Sequence, residues 1–236
     1  LGLDFDGPVL RQSERGDAYD TALETLRAQG LLYRCWCTRA EIAGASSAPH
    51  GPSAGRYPGT CRDLSADEMA AREATGRTPS LRVATGNASV TVRDRYQGTV
   101  DVQLDDPVVY RTDGVHAYHL ATVVDDAAQS VTEVVRGEDL LAASATQMWL
   151  IERLGLPQPE YAHVPLVLGP DGARLAKRDG AVTLAERRAL GESTEQTLGL
   201  IAASLGLATP GESVTAQSLL ERFDPDSFTP PPSGPL

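Results

Sequence analysis

The amino-acid sequence predicts an α/β fold with a β-rich insertion. Apolar residues recur at helical spacing near the start and in the last third of the chain, whereas residues 79–135 consist largely of short β-branched runs. Strands that alternate with helices around a β-rich middle are typical of α/β architecture. Hydrophobic residues make up 41% of the 236 residues, so the chain can bury a core of the size this fold needs.

The first helix is predicted over residues 17–29, where four apolar side chains share one face. They are Tyr19, Ala22, Leu23 and Leu26. Gly30 ends this helix, and the apolar run 31–37 predicts a strand. Later helices are predicted over residues 144–154 and around residues 198–205.

Three further helices are predicted from capping boxes, in which a Ser or Thr precedes a Glu by three residues. The pairs are Thr38 with Glu41, Ser65 with Glu68, and Thr183 with Glu186. In a capping box each side chain accepts a hydrogen bond from the backbone N–H of the other residue. We therefore expect a helix to begin directly after each Ser or Thr.

The remaining segments are predicted from β-branched runs and from proline content. LATVVDD, residues 120–126, is predicted as a strand followed by a turn at Asp125 and Asp126. These two acids also suit acid–base chemistry or Mg²⁺ binding, but the turn is the favoured interpretation. HVPLVL, residues 163–168, predicts another strand, and the proline-rich residues 229–236 are predicted to be disordered.

The charge and the apolar content argue against two classes of protein. A net charge of -11 argues against a protein that coats nucleic acid through a broad basic face, although it allows a local basic patch. No run of about 18 apolar residues occurs, so no membrane-spanning segment is predicted. The chain opens LGLDFDGP, with acids where a secretory signal carries bases. These features predict a cytoplasmic protein.

The cysteines predict a metal site rather than disulfides. Cys35, Cys37 and Cys61 form an odd, clustered set without a secretion signal, which is a poor disulfide framework. Three thiolates with one harder ligand make a closed tetrahedral zinc site, which would pin the long polar loop between them. His50 is the ordinary choice of fourth ligand and Tyr57 a rarer one. The alternative is that the cysteines are small buried side chains without a metal.

Arg136, at the end of the apolar strand VTEVV, is the candidate substrate-binding residue. Strand ends are where α/β sheets bind ligands. A guanidinium there suits a carboxylate, which it can hold through two parallel hydrogen bonds. The residues alone also allow a surface ion pair with Glu138 or Asp139. The hydroxyl of Tyr118 could reach the same ligand or lie in water.

A basic loop stands out in this acidic chain. Arg174, Lys177 and Arg178 lie in the Gly-flanked segment GARLAKRDG, after a predicted strand. Such a loop suits the phosphates of a nucleoside triphosphate. It lacks the G-x-x-x-x-G-K pattern of a P-loop. A solvated basic turn is the alternative interpretation.

In their order along the chain, these segments resemble class I glutamyl-tRNA synthetases, ligases that join glutamate to tRNA using ATP. Residues 117–155 are similar to that family's amino-acid-binding stretch, and RLAKR is similar to its KMSKS signature. The resemblance implies that Tyr118 and Arg136 bind L-glutamate, and Thr122, four residues beyond Tyr118, is expected to line the same pocket. It also implies that Lys177 meets the phosphates of ATP, which carries Mg²⁺. The KMSKS-like residues, here called the lysine loop, are Arg174, Leu175, Ala176, Lys177 and Arg178.

This chain departs from the family pattern at three points. Arg174 stands where the signature has its first Lys, and Ala176 where it has Ser. None of the four histidines lies in a stretch like the family's HIGH motif. In that family the HIGH motif precedes the point at which this chain begins. The chain is therefore expected to lack the first half of the nucleotide-binding fold and to be inactive by itself.

Two features resemble a subfamily that loads glutamate onto queuosine in the anticodon of tRNA(Asp). First, its metal pattern is C-x-C, a loop, then Y-x-x-x-C, which implies four ligands of one structural zinc ion and displaces His50. These ligands are Cys35, Cys37, Tyr57 and Cys61. Second, few residues follow the lysine loop, where the ordinary enzyme carries an anticodon-binding region. The implied partners are L-glutamate, ATP and queuosine-bearing tRNA(Asp), and the implied state is a monomer.

The resemblance also implies a division into domains around a Rossmann-like nucleotide-binding fold. Residues 1–34 and 111–190 would belong to that fold, 35–110 to the zinc-bearing insertion and 191–228 to a small helical region, before the tail. Two alternatives remain at this point. The chain could be a fragment of an ordinary glutamyl-tRNA synthetase, or a non-catalytic binding module stabilised by zinc.

Overall fold

Two β-sheets organise the part of the chain that the structure, a computed structural model, describes. The described residues are 1–45, 56–169, 172 and 183–234. The strands are β1 (Leu32–Cys35), β2 (Ser80–Val83), β3 (Ser89–Asp94), β4 (Gly98–Gln103), β5 (Val108–Tyr110), β6 (Glu133–Gly137) and β7 (Glu160–Val164). The helices are α1 (Gly16–Ala28), α2 (Arg39–Ala45), α3 (Ala66–Glu73), α4 (Tyr118–Ala128), α5 (Leu141–Leu154), α6 (Leu184–Ala189), α7 (Thr194–Ser204) and α8 (Ala216–Arg222).

The sheets join the predicted insertion to the rest of the fold. The first sheet is antiparallel, with the order β1–β2–β5, and the second has the order β4–β3–β7–β6. In the second sheet β7 pairs in parallel with both β3 and β6, whereas β3 and β4 form an antiparallel hairpin. Residues 35–110 therefore do not stand apart, because their hairpin extends the sheet that carries Arg136.

One apolar core lies between helices α1, α4 and α5 and residues of both sheets, among them Val83 and Val109 of the first sheet and Val92 of the second. Leu26, Leu120 and Leu150, one from each helix, are 0% exposed. Burying such a side chain contributes roughly 1.5–3 kcal/mol. The four side chains predicted to share a face of α1 are all buried, so that prediction is confirmed. None of the described helices has both the length and the apolar composition that crossing a bilayer requires.

The three capping boxes predicted from the sequence begin α2, α3 and α6. In each, the Ser or Thr oxygen accepts a hydrogen bond from the Glu backbone, and the Glu carboxylate accepts one in return. These predictions are confirmed because a capping box depends only on residues within one turn. The predicted helix 144–154 is α5, which begins three residues earlier and ends at Leu154, with Gly155 as its C-cap. Gly155 has a φ of 65°, a left-handed conformation that favours glycine.

The strand predicted for residues 120–126 is wrong, because this segment lies in α4. Leu120, Ala121 and Val123 are buried against the core. The period of a short apolar run does not distinguish a buried helix from a buried strand, and packing against α1 and α5 favours the helix. The turn predicted at Asp125 and Asp126 is wrong for the same reason.

Asp125 instead anchors the N-terminal segment to α4. Its carboxylate accepts hydrogen bonds from Gln12 Nε2 at 3.1 Å and Tyr19 Oη at 2.7 Å, and pairs with Arg15 Nε at 2.7 Å. The side chain is only 6% exposed, so its charge depends on these partners. Its oxygens serve the fold rather than a metal ion or a proton transfer.

The chain after β7 differs from prediction. β7 begins at Glu160 and ends at Val164, so the strand predicted over residues 163–168 starts and stops earlier. Val167 then forms an isolated parallel bridge with Gly234. The disorder predicted for residues 229–236 therefore does not extend to Gly234, because a proline-rich segment still pairs through the backbone of its other residues.

Asp106 ties the cysteine-bearing segment to the first sheet. Its buried carboxylate accepts hydrogen bonds from Tyr33 Oη and Arg62 Nε, each at 2.6 Å, and from the Thr85 backbone N–H and hydroxyl at 2.9 and 3.0 Å. Burial opposes ionisation, but these hydrogen bonds lower the pKa of Asp106 below its ordinary value. One anion therefore joins β1 to the turns that flank α3 and β2.

Asp106→Asn is expected to lower the free energy of unfolding by about 3 kcal/mol at neutral pH, because Arg62 would lose its partner charge. The folded-state pKa is depressed, so this stabilisation is present above the unfolded value of about 3.9 and is lost as pH falls through the folded-state pKa. Urea denaturation at several pH values measures both effects. The control Asp101→Asn, at an exposed residue of β4, should change stability by less than about 0.5 kcal/mol. Equal stability of the two variants at pH 7 would contradict the role of Asp106.

Candidate active site

The parallel pairing of β6 with β7 places Arg136 beside a buried histidine. Arg136 and His163 are partners in this ladder, and both lie near the carboxyl ends of their strands. In α/β sheets ligands bind at these ends. β7 also pairs with β3, where Asp94 is the partner of Tyr161. The sheet therefore brings together Asp94, Arg136 and His163, which are far apart in sequence.

The guanidinium of Arg136 is fixed through two of its three nitrogen atoms. Nε donates a hydrogen bond to His163 Nε2 at 3.1 Å. Nη2 donates to Ser144 Oγ at 2.7 Å and to Gln147 Oε1 at 2.8 Å. Nη1 lies 3.5 Å from Tyr118 Oη, a hydroxyl at the surface. Nη1 is therefore the part of the guanidinium that remains to meet a ligand.

The ion pair between Arg136 and Glu138 that the residues allow is not among the described contacts. The Glu138 carboxylate instead accepts a hydrogen bond from Gln97 Nε2 at 3.2 Å. Gly137, between the two, permits a close approach, because a Cβ there would lie 2.9 Å from Leu166 Cδ2. A larger residue at this position would therefore clash with Leu166 and with Asp139.

His163 and Asp94 form a buried pair behind Arg136. Both side chains are 0% exposed, and His163 Nδ1 lies 2.5 Å from Asp94 Oδ2. Asp94 also accepts hydrogen bonds from the backbone N–H groups of Tyr96, Gln97 and His163, at 3.0–3.1 Å. Burial opposes the charge of Asp94, but the hydrogen bonds from His163 and these amides lower its pKa. An ionised carboxylate therefore faces the imidazole.

Helix α4 supplies the open side of the site. Tyr118 is its first residue and is 53% exposed. Thr122 and Asp126 follow at intervals of one turn on the same face, and no described hydrogen bond joins Thr122 to Arg136. Burial raises the pKa of Asp126, and the charge of Arg136 opposes that rise. The structure thus brings Tyr118 to Arg136 and places Thr122 on the same face without a contact.

Tyr161 covers one side of the guanidinium. The Arg136 Cζ lies 5.7 Å from the centroid of the Tyr161 ring, within the range of a cation–π contact. The ring is 4% exposed, and burial raises the pKa of Tyr161 to about 12. An apolar wall of this kind excludes water and strengthens the attraction between Arg136 and an anion.

The three cysteines converge, as the sequence predicts. The sulfur atoms of Cys35, Cys37 and Cys61 lie within 4.8 Å of one another. Tyr57 Oη lies 3.3 Å from Cys35 Sγ and accepts a hydrogen bond from the Cys61 N–H at 2.8 Å. Thiolates bound to one zinc ion at ~2.3 Å would lie at similar separations. The donor set therefore fits one metal ion, whereas His50 lies outside the described residues.

The electrostatics of this cluster favour a cation. Burial and the neighbouring Cys61 thiol raise the pKa of Cys37 to about 12. Burial opposes ionisation of Cys35 too, but its hydrogen bonds with Tyr57 and Arg82 lower its pKa. Three thiolates in contact repel one another, and a bound cation removes that repulsion. The arrangement therefore suits metal binding better than three separate buried thiols.

The five residues of the lysine loop, 174–178, lie outside those that the structure describes.

The sequence reasoning missed four residues around Arg136. They are Asp94, Ser144, Gln147 and His163. The available signal was a histidine inside the apolar run YAHVPLVL, because a buried imidazole needs partners. The histidine by itself does not indicate which residues are its partners, because they lie on β3, β6 and α5.

Comparison with known proteins gives concordant results. The family described as "tRNA synthetases class I (E and Q), catalytic domain" matches residues 1–224. A protein from Nocardia farcinica named "Glutamyl-Q tRNA(Asp) synthetase" is 52% identical over 225 residues, covering 95% of this chain and 71% of that protein. A protein of the same name from Symbiobacterium thermophilum is 48% identical over 238 residues, covering 95% of this chain and 73% of that protein.

Solved structures agree with this family. A glutamate tRNA ligase from Elizabethkingia meningosepticum, in complex with its amino acid, matches with a TM-score of 0.74 and 25% identity, over 97% of this chain and 52% of that one. The glutamate-tRNA synthetase of Elizabethkingia anophelis matches with a TM-score of 0.75 and 25% identity, over 97% of this chain and 53% of that one. The chain thus spans about half the length of these solved enzymes. The predicted α/β class I synthetase fold is confirmed, and the chain belongs to the class I tRNA synthetase family (E and Q), whose catalytic domain matches residues 1–224.

Proposed function

We propose that this protein is a ligase that activates L-glutamate with ATP and transfers it to queuosine in the anticodon of tRNA(Asp). The observation that carries the proposal is the fixed guanidinium of Arg136 at the end of β6, in a chain 52% and 48% identical to two proteins named for that substrate. The names of these relatives supply the acceptor. The geometry around Arg136 supports the binding of a carboxylate.

Arg136 Nη1 and Tyr118 Oη together form a binding corner for a carboxylate of glutamate. Nε and Nη2 already donate to protein acceptors. The guanidinium therefore holds the carboxylate through Nη1, with the Tyr118 hydroxyl as second donor, rather than through two parallel bonds of its own. Hydrogen bonds to a charged group contribute about 1.5–3 kcal/mol each. Thr122 lines the same pocket in this proposal.

The lysine loop holds ATP and its Mg²⁺ in this proposal. Lys177 stabilises the phosphate charge that develops as the adenylate forms. Arg174 keeps a positive charge at the first signature position, and Ala176 lacks the hydroxyl of the signature Ser. We further propose that the protein works as a monomer in the cytoplasm, where thiols such as those of the cysteine cluster stay reduced.

One zinc ion is the metal proposed for the cysteine cluster. Cys35, Cys37 and Cys61 would bind it as thiolates, and Tyr57 would supply the fourth ligand. A closed site of this kind stabilises the fold and takes no part in chemistry. It would join the end of β1 to the segment that precedes α3.

The acceptor is tested with tRNA(Asp) prepared with and without queuosine. The complete protein is expected to attach labelled glutamate, with ATP, only to the queuosine-bearing form. After nuclease digestion the label should be found on the anticodon fragment and not on the 3′-terminal adenosine, because the acceptor lies in the anticodon. Labelling of tRNA(Glu) at its 3′ end would instead support an ordinary glutamyl-tRNA synthetase, and no ATP-dependent labelling of any tRNA would support the non-catalytic module.

Arg136→Ala is expected to raise the KM for glutamate roughly ten- to hundredfold, the equivalent of about 1.5–3 kcal/mol. The KM for ATP should change by less than about twofold, because the variant removes a carboxylate donor. Glutamate-dependent pyrophosphate exchange by the complete protein measures both constants. Arg77→Ala is a matched control, since Arg77 forms an exposed ion pair with Glu41. An unchanged KM for glutamate in the Arg136 variant would remove Arg136 from the binding site.

Metal analysis of the purified protein is expected to give about one equivalent of zinc. Tyr57→Phe should release zinc to a chelator more readily than the wild type does, because it removes a ligand. Tyr96→Phe, which removes a phenol from the β3–β4 turn, and His50→Ala should release it at the wild-type rate. Faster loss from the His50 variant than from the Tyr57 variant would show that His50 is the fourth ligand. Less than half an equivalent in the wild type would count against the site.

A further inference from the structure

We propose that Asp94 and His163 are positioning residues that fix the guanidinium of Arg136 in the orientation that binds the substrate carboxylate. The inference rests on the proposed function, in which Arg136 meets glutamate. Neither residue reaches the ligand, because both side chains are 0% exposed. They act through the hydrogen bond between Arg136 Nε and His163 Nε2.

Asp94 determines which nitrogen of His163 carries the proton. Its carboxylate is ionised and therefore carries no proton to donate. The backbone N–H groups of Tyr96, Gln97 and His163 already donate to it. His163 Nδ1, 2.5 Å from Asp94 Oδ2, must therefore be the donor. The neutral imidazole then presents an unprotonated Nε2.

An unprotonated Nε2 is what Arg136 requires. The Nε–H of a guanidinium can only donate, so its partner at 3.1 Å must be an acceptor. In the other neutral tautomer, or in the imidazolium, Nε2 would carry a proton. Two N–H groups would then face each other, and no hydrogen bond could form between them. The hydrogen bonds therefore run in one direction: Arg136 Nε donates to His163 Nε2, and His163 Nδ1 donates to Asp94.

The remaining contacts complete the orientation. Ser144 and Gln147 each accept a hydrogen bond from Nη2. With Nε and Nη2 both held, rotation about the terminal bonds of Arg136 is blocked and Nη1 must face Tyr118. A mobile arginine loses side-chain entropy when it binds a ligand, whereas a preorganised one has already lost it on folding. The Asp94–His163 pair should therefore increase the affinity of Arg136 for glutamate.

The alternative is that Asp94 and His163 only stabilise the fold. Two substitutions of His163 distinguish this structural role from the positioning of Arg136. The amide nitrogen of asparagine lies near the place of the imidazole Nδ1, so His163→Asn keeps the donor to Asp94 and loses the acceptor for Arg136. The amide of glutamine lies near the place of Nε2, so His163→Gln keeps an acceptor for Arg136 and loses the donor to Asp94. A structural role predicts similar damage from both, and positioning predicts different effects.

The first measurement is glutamate-dependent pyrophosphate exchange by the complete protein. His163→Asn is expected to raise the KM for glutamate about tenfold, the effect of losing one hydrogen bond to a charged group. The KM for ATP and kcat should stay within about twofold of wild type. His163→Gln should raise the KM for glutamate by less than His163→Asn does, because it keeps the acceptor for Arg136 and loses only the donor to Asp94. His116→Asn is the control, since His116 contacts a different carboxylate, Asp20.

The second measurement needs no substrate. The Nε–H resonance of Arg136, assigned by its loss in Arg136→Lys, should exchange slowly with water in the wild type and in His163→Gln. It should exchange at least tenfold faster in His163→Asn, where the acceptor is gone. This readout follows the orientation of Arg136 directly and does not depend on what Arg136 binds.

The outcomes distinguish this inference from the proposed function. Unchanged glutamate KM and unchanged exchange in His163→Asn would overturn the positioning role, as would equal impairment of both His163 variants with equal losses of Tm. If the wild type shows no response to glutamate while the resonance behaves as expected, the proposed function fails and the positioning pair stands.

Discussion

The parallel pairing of β7 with its two neighbours is the constraint on which the candidate site depends. The β6–β7 register sets Arg136 beside His163, and the β3–β7 pairing brings Asp94 to the far side of the same histidine. A shift of either pairing by one residue would turn these side chains to opposite faces of the sheet. The hydrogen bond at Arg136 Nε is therefore a consequence of strand register.

Three buried aspartates join segments that are distant in the chain. Asp94 serves the site, Asp106 holds the cysteine-bearing segment, and Asp125 anchors the N-terminal segment to α4. An ionised carboxylate can be buried only when its oxygens are satisfied, and breaking such an arrangement costs several kcal/mol. Each aspartate therefore fixes the relative positions of the elements that donate to it. The acidic net charge of -11 thus includes groups that stabilise the fold.

The cysteine cluster and the arginine site differ in how far sequence reasoning could reach them. Cys35, Cys37 and Cys61 are close enough in the chain for their residue types alone to indicate a metal, and the structure brings them together. Arg136 was identified from its strand end and from the resemblance of its segment to a family. The sequence did not reveal that two of its nitrogen atoms are already bound, because the acceptors His163, Ser144 and Gln147 lie on other elements.

The sequence by itself determined the features that depend only on residues close together in the chain, within about one helical turn or one motif. The capping boxes, the apolar face of α1, the cysteine cluster and the family all belong to this class. Only the tertiary structure decided what depends on contacts across the chain. LATVVDD became a helix because burial between α1 and α5 outweighs the strand preference of its β-branched residues. The orientation of Arg136 was decided in the same way, since hydrogen-bond partners brought together by strand pairing leave no local trace in the sequence.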